Sequence, residues 1–299
     1  MSDSGSELPF KIEELEERKR LEIEHSRVRR TILQGAERQA DTHANEQAFG
    51  LDSLIRDKAA FDYHFSNIKF YSVARASEQF QHELMRQMCG TGKTVLDFAC
   101  GSGENGIYAA QLGADVVGID ISPEGITNAN LNAEGAGVAS HCRFEVMDGE
   151  KMRFADNTFD SAVEYGALHH VDLDRALAEL SRVLKPGAKM ICVEALRHNP
   201  LIHAYRKRTP HLRTAWEVDH ILGVESLDVA RRYFSNVEVR FFHLAVLAAV
   251  PFRKTPFFRP LRSFLELIDR FLLSSTAVGK FGWIMVFVMA EPRKKQASD

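Results

Sequence analysis

The sequence lacks the features that mark several protein classes. Its four cysteines, Cys89, Cys100, Cys142 and Cys192, are scattered and form no CxxC pair. They exclude a dense disulfide framework and read as reduced, mostly buried thiols of a cytoplasmic protein. No apolar run reaches the roughly 18 residues that a membrane span needs, so no integral membrane segment is expected. Residues 1–7 are polar and acidic, without the apolar centre of a signal peptide. The net charge is only −3, which gives no reason to expect a nucleic-acid partner. No internal repeat or low-complexity tract is visible. What the chain does have is 45% apolar residues over 299 positions, enough for one large domain with appendages.

The pattern divides near residue 90. Residues 11–34 are densely charged, with Ile12, Leu15, Ile23, Val28 and Ile32 spaced among the charges. This spacing predicts a helix with a thin apolar stripe, either a solvated arm or an arm lying on a neighbouring subunit. A loose connection over 35–50 and a helical stretch over 51–90 follow. The latter is dense in aromatics: Phe61, Tyr63, Phe65, Phe70 and Tyr71. Residues 1–90 thus form a helical arm and cap, and 91–299 the main domain. From 93 onward, strands are expected at 94–98, 115–120, 142–147, 159–164, 188–195, 236–243 and 282–290. Helices are expected at 104–112, 122–135, 172–184 and 225–233. Such alternation argues for right-handed βαβ units around a parallel sheet, with Lys185-Pro186-Gly187 as a break. Two insertions, 196–222 and 244–280, do not fit the alternation and are expected to form helical lids.

The segment Val95-Leu96-Asp97-Phe98-Ala99-Cys100-Gly101-Ser102-Gly103-Glu104-Asn105-Gly106 is a strand, a glycine turn and a helix start. Glycine lets a ligand lie against the main chain, and the helix start offers free N–H groups. Gly101, Gly103 and Gly106 match G-x-G-x-x-G, which alone suits a dinucleotide equally well. Asp120, ending the second strand in Gly118-Ile119-Asp120-Ile121-Ser122, can accept hydrogen bonds from ribose hydroxyls in either kind of site. Three features separate the two. Asp97 would repel a pyrophosphate but suits the ammonium of a methionine moiety. Asp148, in Val146-Met147-Asp148-Gly149-Glu150, can accept from an adenine amino group. Leu168-His169-His170-Val171 and then Arg182-Val183-Leu184-Lys185-Pro186-Gly187 complete the order.

With these motifs in this order, the chain resembles the class I S-adenosylmethionine-dependent methyltransferases, strongly over 93–195 and in outline over 225–290. The resemblance implies an α/β fold: a doubly wound, Rossmann-like sheet of seven strands, mostly parallel, with ligand at the carboxyl ends of the strands. It implies S-adenosyl-L-methionine as cofactor and S-adenosyl-L-homocysteine as product. By position, Asp97, Ala99, Gly101 and Gly103 would line the methionine end. Asp120 and Ile121 would hold the ribose and adenine, and Met147, Asp148 and Gly149 the adenine edge. Glu164 and Gly166 would sit beside the sulfonium. One departure is Ala188, where the family often repeats a glycine.

For catalysis, His170 and His169 are base candidates, since imidazole titrates near neutral pH; the alternatives are a pocket wall and a helix cap. Glu164 could accept a proton or contact the cofactor. Tyr71 and Tyr63 could bind substrate or pack the N-terminal helices. His211, Trp216 and His220, with Arg213 and Glu217, could form a substrate wall or a hydrogen-bond network. Their spacing matches no zinc template and methyl transfer requires no metal, so none is expected. The apolar insertion 244–280 could be a lid over a greasy substrate, a dimer face or a membrane contact. The expected acceptor is a small hydrophobic molecule: a prenylated, polyketide or aromatic natural product. Alternatives are a quinone or lipid methyltransferase at a membrane surface, a non-catalytic adenosyl-ligand-binding protein and a nicotinamide oxidoreductase. A homo-oligomer formed through the N-terminal helix is expected.

Overall fold

The computed structural model of the chain describes residue 12 and residues 15–34 and 63–294. The expected connection at 35–50, the start of the 51–90 helical stretch with Phe61, and the side chain of Ile32 lie outside the described residues. Helix α1 (Glu17–Gln34) precedes a short helix α2 (Ile68–Tyr71) and α3 (Arg75–Met88). Then come β1 (Thr94–Phe98), α4 (Glu104–Gln111), β2 (Asp115–Asp120), α5 (Pro123–Gly135), β3 (Cys142–Val146) and β4 (Phe159–Tyr165). After α6 (Leu173–Val183) and β5 (Leu184–Ala195), the first insertion folds into α7 (Pro200–Arg208) and α8 (Ala215–His220). The chain closes with α9 (Ser226–Tyr233), β6 (Phe234–Phe242), α10 (Phe258–Leu272), α11 (Thr276–Gly279) and β7 (Ile284–Pro292).

The seven strands form one sheet in the order β3-β2-β1-β4-β5-β7-β6. The pairings from β3 to β5 are all parallel, and β7 runs antiparallel to both of its neighbours. This is the doubly wound, mostly parallel sheet that the motifs implied. The inner strands are covered on both faces, which is why β1 reads as an almost unbroken apolar run. Of its residues, only Asp97 is an acid, and it too is buried. Edge strand β6 instead alternates, turning Glu238 outward, and charge of this kind blunts an exposed edge.

The covering helices follow from equally local signals. In α6, Asp172 accepts from the Arg175 N–H at 3.1 Å as N-cap, and Ala176, Leu177, Leu180 and Val183 bury one face. One expectation is corrected. The sequence places Lys185-Pro186-Gly187 as a break before β5, but β5 begins at Leu184, which pairs with Phe159. The register then shifts, Ser161 pairing with Lys189, so the three residues form an irregularity inside the strand. Gly187, at φ 75°, absorbs the extra length.

The order reverses at β1/β4, where β1's connection leads to β2 on one side and β4 lies on the other. The carboxyl ends of these strands therefore open a crevice. Among the described residues, no helix is long and apolar enough to cross a membrane.

Candidate active site

The turn after β1 is tightly wound. Ala99, Gly101 and Gly103 all have positive φ, at 51°, 58° and 85°. For Ala99 this is a strained conformation of the kind that persists at ligand sites. The three motif glycines do different work. Gly101 lines a cavity at the strand ends. Gly103 caps α4, where a Cβ would lie 3.0 Å from both Ala129 and Phe144. Gly106 keeps the space beside Asp97: its N–H donates to Asp97 Oδ2 at 2.8 Å, and a Cβ there would sit 2.9 Å from the same oxygen. Asp97 is thus held under the helix start and is not among the cavity-lining residues. Burial pushes its carboxyl up to about 8.

The cavity has a volume of about 260 Å³. Phe98, Ala99 and Gly101 form its floor. Ile119, Asp120 and Ile121 form one wall, and Met147, Asp148 and Gly149 the next. Tyr165, Gly166, Ala167 and His170 close the far end. Asp120 is oriented by main chain: Gly101 N–H donates to Oδ2 and Ser122 N–H to Oδ1, each at 2.8 Å. At Gly149 a Cβ would meet the Phe98 ring at 2.6 Å, so the main chain there must be bare. Paired acids, apolar walls and bare backbone fit a nucleoside that carries a cationic tail.

Helix α1 forms the roof with Arg18, Lys19, Glu22 and Ser26. Lys19 Nζ donates to Asp148 Oδ2 at 2.6 Å and lies 3.0 Å from Glu150. Arg18 donates to Glu150 at 2.6 Å. Against the burial that would raise it, these cations hold the Glu150 carboxyl below its ordinary value. Arg175 bonds Glu16 at 2.6 Å. Ile23 is buried under the same helix, while Leu21 and Val28 are exposed.

At the far end, two strand carboxyls pin the turn Leu168–His170. Glu164 Oε1 accepts from Ala167 N–H at 2.7 Å. Glu194 Oε1 accepts from Leu168 N–H at 2.6 Å, and its Oε2 lies 2.6 Å from His169 Nδ1. Burial, then repulsion by Glu194, raises Glu164 well above the carboxylate range, so it is held neutral. Glu194 goes the other way, its burial being outweighed by His169. His170 Nδ1 lies 3.1 Å from Glu22 of α1. Burial alone would lower His170, but Glu22 raises it to about 9. Among the described residues, His169, His170 and Glu217 place one ligand atom each within 4.8 Å of one another. All three are engaged: His169 by Glu194, His170 by Glu22, and Glu217 by Arg213 Nε at 3.1 Å.

The residues expected to meet substrate separate into three places, none lining the cavity. Trp216 stacks on His220 at 3.5 Å and carries the Arg18 guanidinium 4.7 Å above its ring, at the edge of the roof. Tyr63 stacks on His211 at 3.9 Å, with His211 Nε2 2.9 Å from the Tyr63 carbonyl. Tyr71 packs edge-on to Trp283 at 5.4 Å. Residues that sequence reasoning passed over are Glu194, Glu22 and the Arg18–Lys19 pair. Glu194 had a signal: a single acid ending the apolar run Met190-Ile191-Cys192-Val193. The α1 residues had none, because their partners are more than 120 positions away.

A family profile described as "Methyltransferase domain" matches residues 96–192. The chain is 32% identical over 134 residues to sterol 4-C-methyltransferase strm-1 of Caenorhabditis elegans, covering 44% of this chain and 39% of that protein. It is 32% identical over 122 residues to the ubiquinone/menaquinone biosynthesis C-methyltransferase UbiE of Rickettsia felis, covering 38% and 49%. Methyltransferase GfsG of Streptomyces halstedii is 27% identical over 144 residues, covering 47% and 51%. The chain thus spans about half, or less, of the length of these relatives. Among solved structures, a geranyl diphosphate methyltransferase in complex with S-adenosylmethionine shares the fold at TM-score 0.50 and 20% identity, covering 76% of this chain and 90% of that one. A Haemonchus contortus phosphoethanolamine N-methyltransferase with S-adenosylhomocysteine does so at 0.50 and 19%, covering 71% and 52%.

Sheet order, cavity and profile coincide on the same residues. Residues 96–192 match a methyltransferase domain, on a sheet with the fold of the class I S-adenosylmethionine-dependent methyltransferases, and S-adenosylmethionine is the cofactor that the cavity fits.

Proposed function

We propose that the protein transfers a methyl group from S-adenosylmethionine to a small hydrophobic acceptor whose reacting end is polar. The observation that carries this reading is the end of the cavity at Tyr165, Gly166, Ala167 and His170, where apolar lining meets the His170–Glu22 pair. Bound S-adenosylmethionine supplies an electrophilic methyl on a sulfonium. The protein's share is to align the acceptor and take its proton where one must leave. Asp120 and Ile121 would hold the ribose and adenine, with Met147, Asp148 and Gly149 along the adenine edge. Asp97, beneath the turn with its carboxyl raised to about 8 by burial, would give up its proton beside the cationic methionine end and so balance it.

The two histidines would have different tasks. His169 turns Nδ1 to Glu194 at 2.6 Å and Nε2 toward Glu217 at 3.9 Å, so it would position the turn that carries His170. His170 faces the cavity and is cationic at neutral pH, suited to an oxygen that gains negative charge; it would serve as a base only above about pH 9. Support for a hydrophobic body comes from the sterol and quinone methyltransferases among the relatives and from the apolar second insertion.

Labelled methyl transfer from S-adenosylmethionine to a panel of sterols, hydroquinones, prenyl and polyketide phenols, with water-soluble amines as controls, tests the reading. Transfer to at least one lipophilic acceptor is expected. Transfer confined to the soluble amines overturns the acceptor class, and tight cofactor binding without transfer to any of them favours a binding protein.

A further inference from the structure

Helix α10 carries more apolar surface than the rest of the chain covers. Its inner side, with Phe258, Leu261 and Leu265, packs on the apolar cluster that includes Val246 and Leu247. Asp269 fixes the helix there by accepting the N–H groups of Leu244, Ala245 and Val246 at 3.2, 2.6 and 3.2 Å. Glu266 pairs with Arg75 at 2.5 Å. The other side is unpartnered among the described residues. Phe257, Phe264, Leu267 and Phe271 are 72%, 61%, 50% and 75% exposed. Their spacing places them in one stripe along the helix, and Phe252 and Phe281 are exposed on the adjoining turns.

The charges beside this stripe have one sign. Arg259 and Arg270 are exposed on α10. Lys254 precedes the helix, and Lys280 follows it with Nζ 5.2 Å from the Phe281 ring. The helix's two acids, Glu266 and Asp269, are the inward-engaged ones just described. A cationic apolar face stands out on a chain whose net charge is −3. Strand β6 runs parallel to β5 because both oppose β7. The segment leading into α10 therefore leaves the sheet at its carboxyl end, the end that holds the cavity.

We infer that this face binds the surface of an anionic lipid bilayer, with α10 lying in the interfacial plane. Aromatic and leucine side chains would enter the acyl boundary while the flanking cations meet lipid phosphates. A second copy of the chain is a poorer occupant. A two-fold contact through this patch would set its arginines against the same arginines. The inference concerns where the protein sits and does not depend on which acceptor it methylates.

Co-sedimentation of the full chain with vesicles of phosphatidylglycerol and phosphatidylcholine, against vesicles of phosphatidylcholine alone, tests it. Binding to the anionic vesicles is expected, weakening as salt rises. Phe264→Glu combined with Phe271→Glu, and separately Arg259→Glu with Arg270→Glu, should each reduce vesicle affinity by at least roughly tenfold while S-adenosylhomocysteine binding is kept. Phe264→Trp, which leaves the face apolar, should show a blue-shifted emission on adding anionic vesicles, beyond that of the unsubstituted chain. No binding to anionic vesicles, or equal binding by the double-glutamate variant, overturns the inference. So does a dimer in solution that Phe264→Glu dissociates while vesicles leave the protein in the supernatant.

Discussion

At the scale of single residues, the site is built from acids whose environments differ. Asp120 is clamped by two main-chain donors, in an orientation that suits a diol. Asp120→Ala should weaken S-adenosylhomocysteine binding by about 1–3 kcal/mol in calorimetry, as loss of a hydrogen bond to a charged group does; an unchanged affinity contradicts the ribose role. Asp97→Asn keeps an acceptor for the Gly106 N–H, so fold stability should change little. A fall in cofactor affinity would then be due to the loss of a carboxyl able to ionise beside the bound cation. The His170–Glu22 pair makes a pH prediction. The folded pKa of about 9 exceeds the ordinary 6.5, so the pair's stabilisation is fully present below about 6.5 and is lost as pH rises through about 9. Protease resistance of α1 should fall over that window, and Glu22→Gln should flatten the profile. These roles were only partly legible. Asp97, Asp120 and Asp148 stand at strand ends, where local pattern marks them. The state of His170 is set by Glu22, which is 148 positions away in sequence and reached only through the placement of α1.

Among the elements, the strands were the most legible, because residues buried on both faces must be apolar for their whole length. All seven lie where the alternation placed them. The β5 start was misplaced because Pro186 and Gly187 look alike in a turn and in a strand irregularity. The insertions were expected as helical lids, but prolines and arginines masked the period that would have placed the bounds of α7 and α10. Packing between strands is tight where small residues face large ones. Gly118 of β2 pairs with Phe144 of β3, and a Cβ at Gly118 would lie 2.4 Å from that ring. Gly118→Ala should therefore cost about 1–3 kcal/mol of stability through overpacking, read as a lowered midpoint in denaturant, with Phe144→Leu partly restoring it.

Across the whole molecule, the sheet, the carboxyl-end cavity and the two insertions give a methyltransferase-type fold whose cavity is roofed by α1. The N-terminal helix expected to reach a neighbouring subunit lies on its own chain's cavity. Residues 1–34 can still serve assembly through exposed Leu21 and Val28, and their removal should show this as a lowered mass in solution. It should also weaken product binding, which loss of an assembly arm alone would not do.

That roof also has a kinetic meaning. A ligand bound beneath Arg18, Lys19 and Glu22 is expected to leave more readily once their contacts with Asp148, Glu150 and His170 open. Partly exposed ion pairs are weakened by salt, so ligand exchange is predicted to be gated electrostatically. The dissociation rate of S-adenosylhomocysteine in stopped flow should rise with ionic strength. Lys19→Met, which keeps the length of the side chain and discards its charge, should raise that rate at low salt and remove most of its salt dependence.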